Sequence, residues 1–126
     1  MKKILLDTNV LMAVGSLKVD VFSEIERICD FRYDIVTLDS NVLELEQIQE
    51  TQSLKFRRDA KMALQLLKHK KVKILKSGKM PADEGIVDLA EKDLIVATQD
   101  AVLKKRLKAG GVPIISIRQK KYLVMG

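Results

Sequence analysis

Apolar positions along the chain fall into short aliphatic runs that alternate with segments of helical period. Ile4-Leu5-Leu6 is the first run and predicts a buried strand. Val10 to Val14 follows as a short helix, and Val21, Phe22, Ile25 and Ile28 mark one face of a second. Ile35 to Leu38 predicts the next strand, Ser40 to Ile48 a helix, and the polar stretch Gln49 to Ser53 a connection. Leu54 to Lys68 predicts a longer helix whose core side carries Phe56, Ala60, Ala63, Leu64 and Leu67.

Val72 to Leu75 reads as a strand with one face buried, and Ser77-Gly78 with Pro81 as a loop. Pro81 suits the start of a helix over Ala82 to Lys92. Leu94 to Ala97 is apolar throughout, as a central strand must be, and Ala101 to Ala109 is a helix stopped by Gly110-Gly111. Ile114 to Ile117 is a further strand, and Tyr122-Leu123-Val124 fits an added edge. Strands alternating with helices predict one α/β domain over residues 1–126 with a mostly parallel sheet. No repeat or low-complexity linker divides it.

Composition narrows the chemistry. One cysteine, Cys29, excludes an internal disulfide and any multi-cysteine zinc site, and one histidine, His69, excludes every two-histidine metal motif. His69 reads as a surface residue. The net charge of +6 suits a polyanionic partner. Asp7 and Asn9 interrupt the apolar start too early for a signal peptide, and no run reaches the roughly 18 apolar residues of a membrane span, so a cytoplasmic protein is expected.

Carboxylates recur where the strands end. Asp7 follows the first strand, Asp39 the second, and Thr98 with Asp100 follows Leu94 to Ala97. Glu44 lies about one helical turn beyond Asp39, and Asp83 opens the helix after Pro81. In an open parallel sheet the crevice beyond the carboxyl ends of the strands is where ligands bind. The same positions are helix N-termini, where Asp serves as a cap, so each Asp has a structural reading beside the functional one. Capping does not account for Glu44, which sits inside a helix among Val42, Leu43 and Leu45, although periodicity leaves Glu44 and Glu46 equivalent. Acids that converge need a cation to stay ionised, and an oxygen-only set selects Mg²⁺ or Mn²⁺ over zinc.

Ile4-Leu5-Leu6-Asp7-Thr8-Asn9, Glu44-Leu45, Ala82-Asp83-Glu84 with Ile86 and Ala90, and Ala97-Thr98-Gln99-Asp100 together resemble the PIN domain. The resemblance implies a three-layer α/β/α sandwich around a mostly parallel sheet and a metal-dependent endoribonuclease. Asp7, Glu44, Asp83 and Asp100 match the family's acidic quartet, which selects Glu44 over Glu46, and Thr8, Asn9 and Thr98 match small polar residues that orient the ligands. Asp88 matches a further acid of one branch and reads equally as a surface residue, and Asp39 is left as a cap. Gly85 within a predicted helix matches a close approach of substrate, at about 1 kcal/mol relative to Ala.

The stretch from Val96 through Lys104-Lys105-Arg106, Gly111-Val112-Pro113-Ile114-Ile115 and Gln119-Lys120-Lys121-Tyr122 is similar to the branch that holds the small-subunit processome endonuclease of pre-ribosomal RNA and its archaeal counterparts. VapC-type toxins resemble it less, and the terminal extensions of eukaryotic processome members are absent. The implied reaction is phosphodiester hydrolysis in which one or two Mg²⁺ or Mn²⁺ ions lower the pKa of a water, leaving a 5′-phosphate. Implied partners are RNA, a second copy in a homodimer, and an antitoxin or a ribosome-assembly factor. Lysines and arginines supply phosphate contacts. The preferred patch is Lys104, Lys105, Arg106 and Lys108, ahead of Lys55, Arg57, Arg58 and Lys61 and of Lys68, Lys70, Lys71 and Lys73; Tyr122 is the candidate stacking residue of the C-terminal stretch. Rival readings are a non-cleaving RNA-binding module, a toxin of a toxin–antitoxin pair, and a phosphatase or receiver-like domain, which wants an acid where Asn9 stands.

Overall fold

Side chains alternate across a strand, so every strand buried on both faces feeds two cores. The computed structural model, which describes residues 1–51, 53–77 and 93–126, is organised by this division. In β1 (Lys2–Leu6), Ile4 and Leu6 enter one apolar cluster and Leu5 the other. β4 (Leu94–Ala97) divides likewise, Ile95 and Ala97 against Leu94 and Val96, and β5 (Ile114–Arg118) divides Ile115 and Ile117 against Ile114. With β2 (Tyr33–Leu38), β3 (Lys73–Leu75) and β6 (Tyr122–Met125) these make one sheet of order β3-β2-β1-β4-β5-β6, parallel except for antiparallel β6.

Four helices close the first face: α1 (Thr8–Ser16), α2 (Val21–Ile28), α3 (Asp39–Thr51) and α4 (Leu54–His69), which deliver among others Leu11, Ile25, Leu45 and Ala63. On the second face α5 (Ala101–Ala109) delivers Leu103 and Leu107. The result is the α/β/α arrangement that the alternating pattern requires. Chain order reverses beside β1, because β2 and β3 extend the sheet one way and β4 the other. That reversal opens a crevice beyond the carboxyl ends of β1 and β4. Among the described residues no helix is long and apolar enough to cross a membrane.

Several elements differ from the pattern's forecast. α1 begins at Thr8, ahead of Val10, because the Asp7 side chain accepts the Thr8 N–H and starts the turn early. α3 runs to Thr51, so Gln49 to Thr51 is helix and not connection; polar Gln and Glu are good helix formers and lie on the outward face. β3 is an edge strand with Ile74 51% exposed, not a half-buried one. Phe56, expected in the core, is 47% exposed at the start of α4. The helix expected over Ala82 to Lys92 lies outside the described residues.

Two details hold the sheet's far edge. Gln119 and Lys120 turn β5 into β6 with φ of 54° and 56°, the sense that suits a twisted hairpin although neither is Gly or Asn. The outer edge of β6 is then blunted by α2: Glu24 accepts the Leu123 N–H at 3.0 Å and Arg27 donates to the Leu123 carbonyl at 2.9 Å. At the other end of α5, Gly110 closes the helix and Gly111, at φ 76°, leaves it in the left-handed region, as the paired glycines predict.

Leu103 is the residue that joins the second core to the end of β4, since its side chain is buried and its N–H is capped by Asp100. Leu103→Ala is expected to lower the unfolding free energy by about 2–5 kcal/mol in a urea titration.

Candidate active site

Asp7 is the first residue past β1, and its carboxylate is 3% exposed. Desolvation raises its pKa above the usual carboxylate range, the charge of Asp100 raises it further, and hydrogen bonds from Thr98, Thr8 and Asn41 pull the other way. Those donors surround it. Oδ2 accepts the Thr98 hydroxyl at 2.6 Å and the Asn9 amide at 3.4 Å, while Oδ1 accepts the Thr8 N–H at 2.9 Å and the Asn41 amide at 3.2 Å.

Each donor is itself fixed. Thr98, buried at the end of β4, accepts the Asp100 N–H at 3.1 Å. Asn9 accepts the Gln99 N–H at 3.0 Å, and the Gln99 side chain grips β5 through the Ile117 N–H and carbonyl at 2.7 and 3.2 Å. Asn41 sits fully buried in the first turn of α3, where it donates to the Thr8 hydroxyl at 2.9 Å and accepts the Leu38 N–H at 3.1 Å. Thr37 ties the same corner to β1 by donating to the Leu6 carbonyl at 2.8 Å. The end of β1 is therefore bonded to β2, α3 and β4 at once.

A cavity of about 520 Å³ opens above this corner. Asp7, Glu44 and Asp100 line it with Thr8 and Asn9, and Met12, Ile48 and Phe56 form an apolar wall. Glu44 is half-buried and faces the cavity, whereas Glu46 is exposed, so the choice that periodicity left open is made by the rotation of α3. Asp100 also caps α5, accepting the Leu103 N–H at 3.0 Å, so its capping and cavity-lining roles coincide. Asp39 is apart: its Oδ1 accepts the Ser40 N–H and both the N–H and hydroxyl of Ser77, which lowers its pKa and fastens the exit of β3. Asp83, Asp88 and Gly85 lie outside the described residues.

Among the described residues no three acidic, histidine or cysteine side chains are gathered closely enough to hold a metal ion by themselves. The donor chemistry nonetheless fits a hard divalent cation. The set is all oxygen, and a cation would offset both effects that raise the Asp7 pKa, its burial and the neighbouring Asp100 charge.

The family model described as a PIN like domain matches residues 4–120. The chain belongs to this family. Ribonuclease VapC4 of Methanocaldococcus jannaschii is 36% identical over 124 residues, covering 97% of this chain and 95% of that protein. Ribonuclease VapC9 of Archaeoglobus fulgidus is 33% identical over 116 residues, covering 91% and 82%. The solved PIN domain endonuclease Utp24 superposes with a TM-score of 0.78 at 23% identity, covering 98% of this chain and 90% of that one, and shares the fold. The similarities thus reach both groups weighed from the sequence, with the higher identity on the VapC side.

Within this PIN domain, α5 starts at Asp100 and carries Lys104 about one turn on, followed by Lys105, Arg106 and Lys108. Lys104 is half-buried, and its pKa is lowered by burial and by Lys108. His69 is exposed at the end of α4. Tyr122 lies in β6, away from the cavity, and the aromatic ring that lines it is Phe56. Asn41 and Phe56 escaped the sequence reading. The run Asp39-Ser40-Asn41 offered a signal, since three capping-type residues stand where one helix start needs one.

A carboxyl whose pKa rises on folding binds its proton more readily folded than unfolded, so Asp7 destabilises the metal-free protein above its folded pKa and that penalty fades as pH falls through it. Relative to wild type in EDTA, Asp7→Asn is expected to lose melting temperature as pH falls from neutral toward pH 4, because only the wild type regains stability by protonating Asp7. Thermal scans of both proteins across that range check it, and a difference between them that does not change with pH would contradict it. Asn41→Ala removes the acceptor of the buried Leu38 N–H and a donor to Asp7. It is expected to cost about 1–3 kcal/mol in a denaturant titration.

Proposed function

We propose that this chain is an endoribonuclease that hydrolyses RNA phosphodiester bonds with Mg²⁺ or Mn²⁺ held by Asp7, Glu44, Asp83 and Asp100. The observation that carries the reading is the buried Asp7 carboxylate, its pKa raised, sharing one cavity with Glu44 and Asp100. The ribonuclease names of the relatives at 36% and 33% identity support it. Bound there, a divalent ion lowers the pKa of a water and neutralises charge on the phosphate.

The chain's own residues do the remaining work. Thr98, Asn41, Asn9 and the Thr8 N–H fix both oxygens of Asp7, so that it meets a ligand without reorienting. Asp100 is held by the start of α5, and Met12, Ile48 and Phe56 add apolar surface to the cavity lining. Lys104, Lys105, Arg106 and Lys108 follow Asp100 along α5 and supply phosphate contacts that are sensitive to salt and indifferent to sequence.

A toxin-type ribonuclease with an antitoxin as protein partner is the reading of biological role favoured by the VapC names of the relatives; a homodimer is proposed from the resemblance to the PIN domain alone. A role in ribosomal RNA processing rests on the Utp24 likeness, which is one of fold.

Labelled structured RNA, incubated with Mn²⁺ or Mg²⁺, is expected to be cut to products bearing a 5′-phosphate. EDTA stops the cutting, and Asp7→Asn reduces it to background. Salt-sensitive binding without cleavage in any divalent metal would replace the enzyme with a non-cleaving RNA-binding module.

A further inference from the structure

The lining of the cavity above Asp7 is of two chemical kinds, and the acids account for only one of them. Beside Asp7, Glu44 and Asp100 it holds Met12 from α1, one turn on from Thr8, Ile48 from α3, one turn on from Glu44, and Phe56 from α4. Leu54, Phe56 and Met62 are the exposed large apolar residues of α4, and of the three only Phe56 lines this cavity. Its helical neighbours Asp59 and Ala60 are buried, yet its own side chain is 47% exposed. With 47% of its surface exposed, Phe56 forgoes about half of the roughly 1.5–3 kcal/mol that full burial brings, and an occupant of the cavity would recover it.

We infer that Phe56, backed by Met12 and Ile48, is a seat for one unpaired nucleobase of the RNA, next to the phosphate that the acids address. The inference rests on the ribonuclease reading and names the state of its substrate at the cut. In RNA the charge lies on the phosphodiester and an apolar π-face on the base of each nucleotide it links, and this cavity offers surfaces of both kinds. A ring face accepts any base, since stacking is tolerant of sequence. A base still paired in a duplex has its faces covered by its neighbours, so the seat selects a nucleotide that is unstacked, in a single strand, a loop or a bulge. A volume of about 520 Å³ lies within the range of small-ligand clefts, roughly 300–1,000 Å³. Leu43 and Leu54 are also exposed apolar residues of α3 and α4, but neither lines this cavity, which separates Phe56 from a general protein-docking face.

The test uses a fluorescently labelled 12-nucleotide single-stranded RNA and copies carrying one abasic nucleotide at successive positions. Binding is read by anisotropy with Mg²⁺ on the Asp7→Asn background, so that cutting does not intervene. Phe56→Ala is expected to weaken binding of the intact RNA about tenfold or more, while Phe56→Trp binds as well as Phe. One abasic position is expected to weaken the Phe56 protein by the same factor, and on that RNA Phe56→Ala adds less than about twofold. In the cleaving protein the same loss appears in KM, with kcat within about twofold.

Equal losses on intact and abasic RNA, or no measurable binding of either, would overturn the seat. Unchanged RNA binding with an altered oligomeric state by light scattering would overturn it too and assign Phe56 to a protein contact. Base-dependent binding through Phe56 in a wild-type protein that cuts no RNA would leave the seat standing and remove the nuclease reading instead.

Discussion

The structure depends on how the Asp7 carboxylate is buried. Placing a charged group beyond the reach of water is unfavourable unless it is hydrogen-bonded or paired, and here four donors from three separate segments converge on two oxygens. Thr98 stands at the end of β4, Asn41 in α3, and Thr8 and Asn9 at the start of α1. Satisfying this one group therefore fixes where three strands end and how two helices begin. The same bonds leave Asp7 oriented but not neutralised, because burial and Asp100 still push its pKa upward. Such uncompensated charge lowers stability, as is common where a side chain serves function before fold.

The two-core division of the sheet gives this corner its rigidity. β1 and β4 are buried on both faces, so neither can tilt without disturbing apolar clusters above and below. The chain order reverses between these two strands, which leaves their carboxyl ends uncovered by a direct crossover and opens the cavity there. Gln99 extends the framework to β5 by bonding the Ile117 backbone at both ends, in the way a neighbouring strand would. The edges are handled separately: Glu24 and Arg27 occupy the outer hydrogen-bonding groups of Leu123.

The cavity itself joins two environments. The carboxylates suit a hard cation, and the apolar surface of Met12, Ile48 and Phe56 suits something flat and poorly hydrated. A nucleotide presents both kinds of surface within one residue. α5 adds positive charge along the helix that Asp100 caps, so the field beside the acids is not uniformly negative. The net charge of +6 has the same sign as α5.

The sequence by itself determined the alternation of strands and helices, the glycine stop after Ala109, and the positions of Asp7 and Asp100 at strand ends. These follow from local rules, because periodicity, capping and glycine conformations are properties of a few adjacent residues. The resemblance that rests on the same residues named the family correctly. Local rules did not see that α3 continues to Thr51, or that Gln119-Lys120 makes a tight hairpin without Gly or Asn. Periodicity left Glu44 and Glu46 equivalent and the resemblance selected Glu44; tertiary structure supplies the physical reason, because the rotation of α3 is set by Leu45 in the core and Asn41 against Asp7. Only tertiary structure moved Phe56 from the expected core to the cavity wall. The apolar stripe of α4 predicts which side faces inward but not where the neighbouring helices stop covering it, and that limit is set by packing between elements distant in the chain.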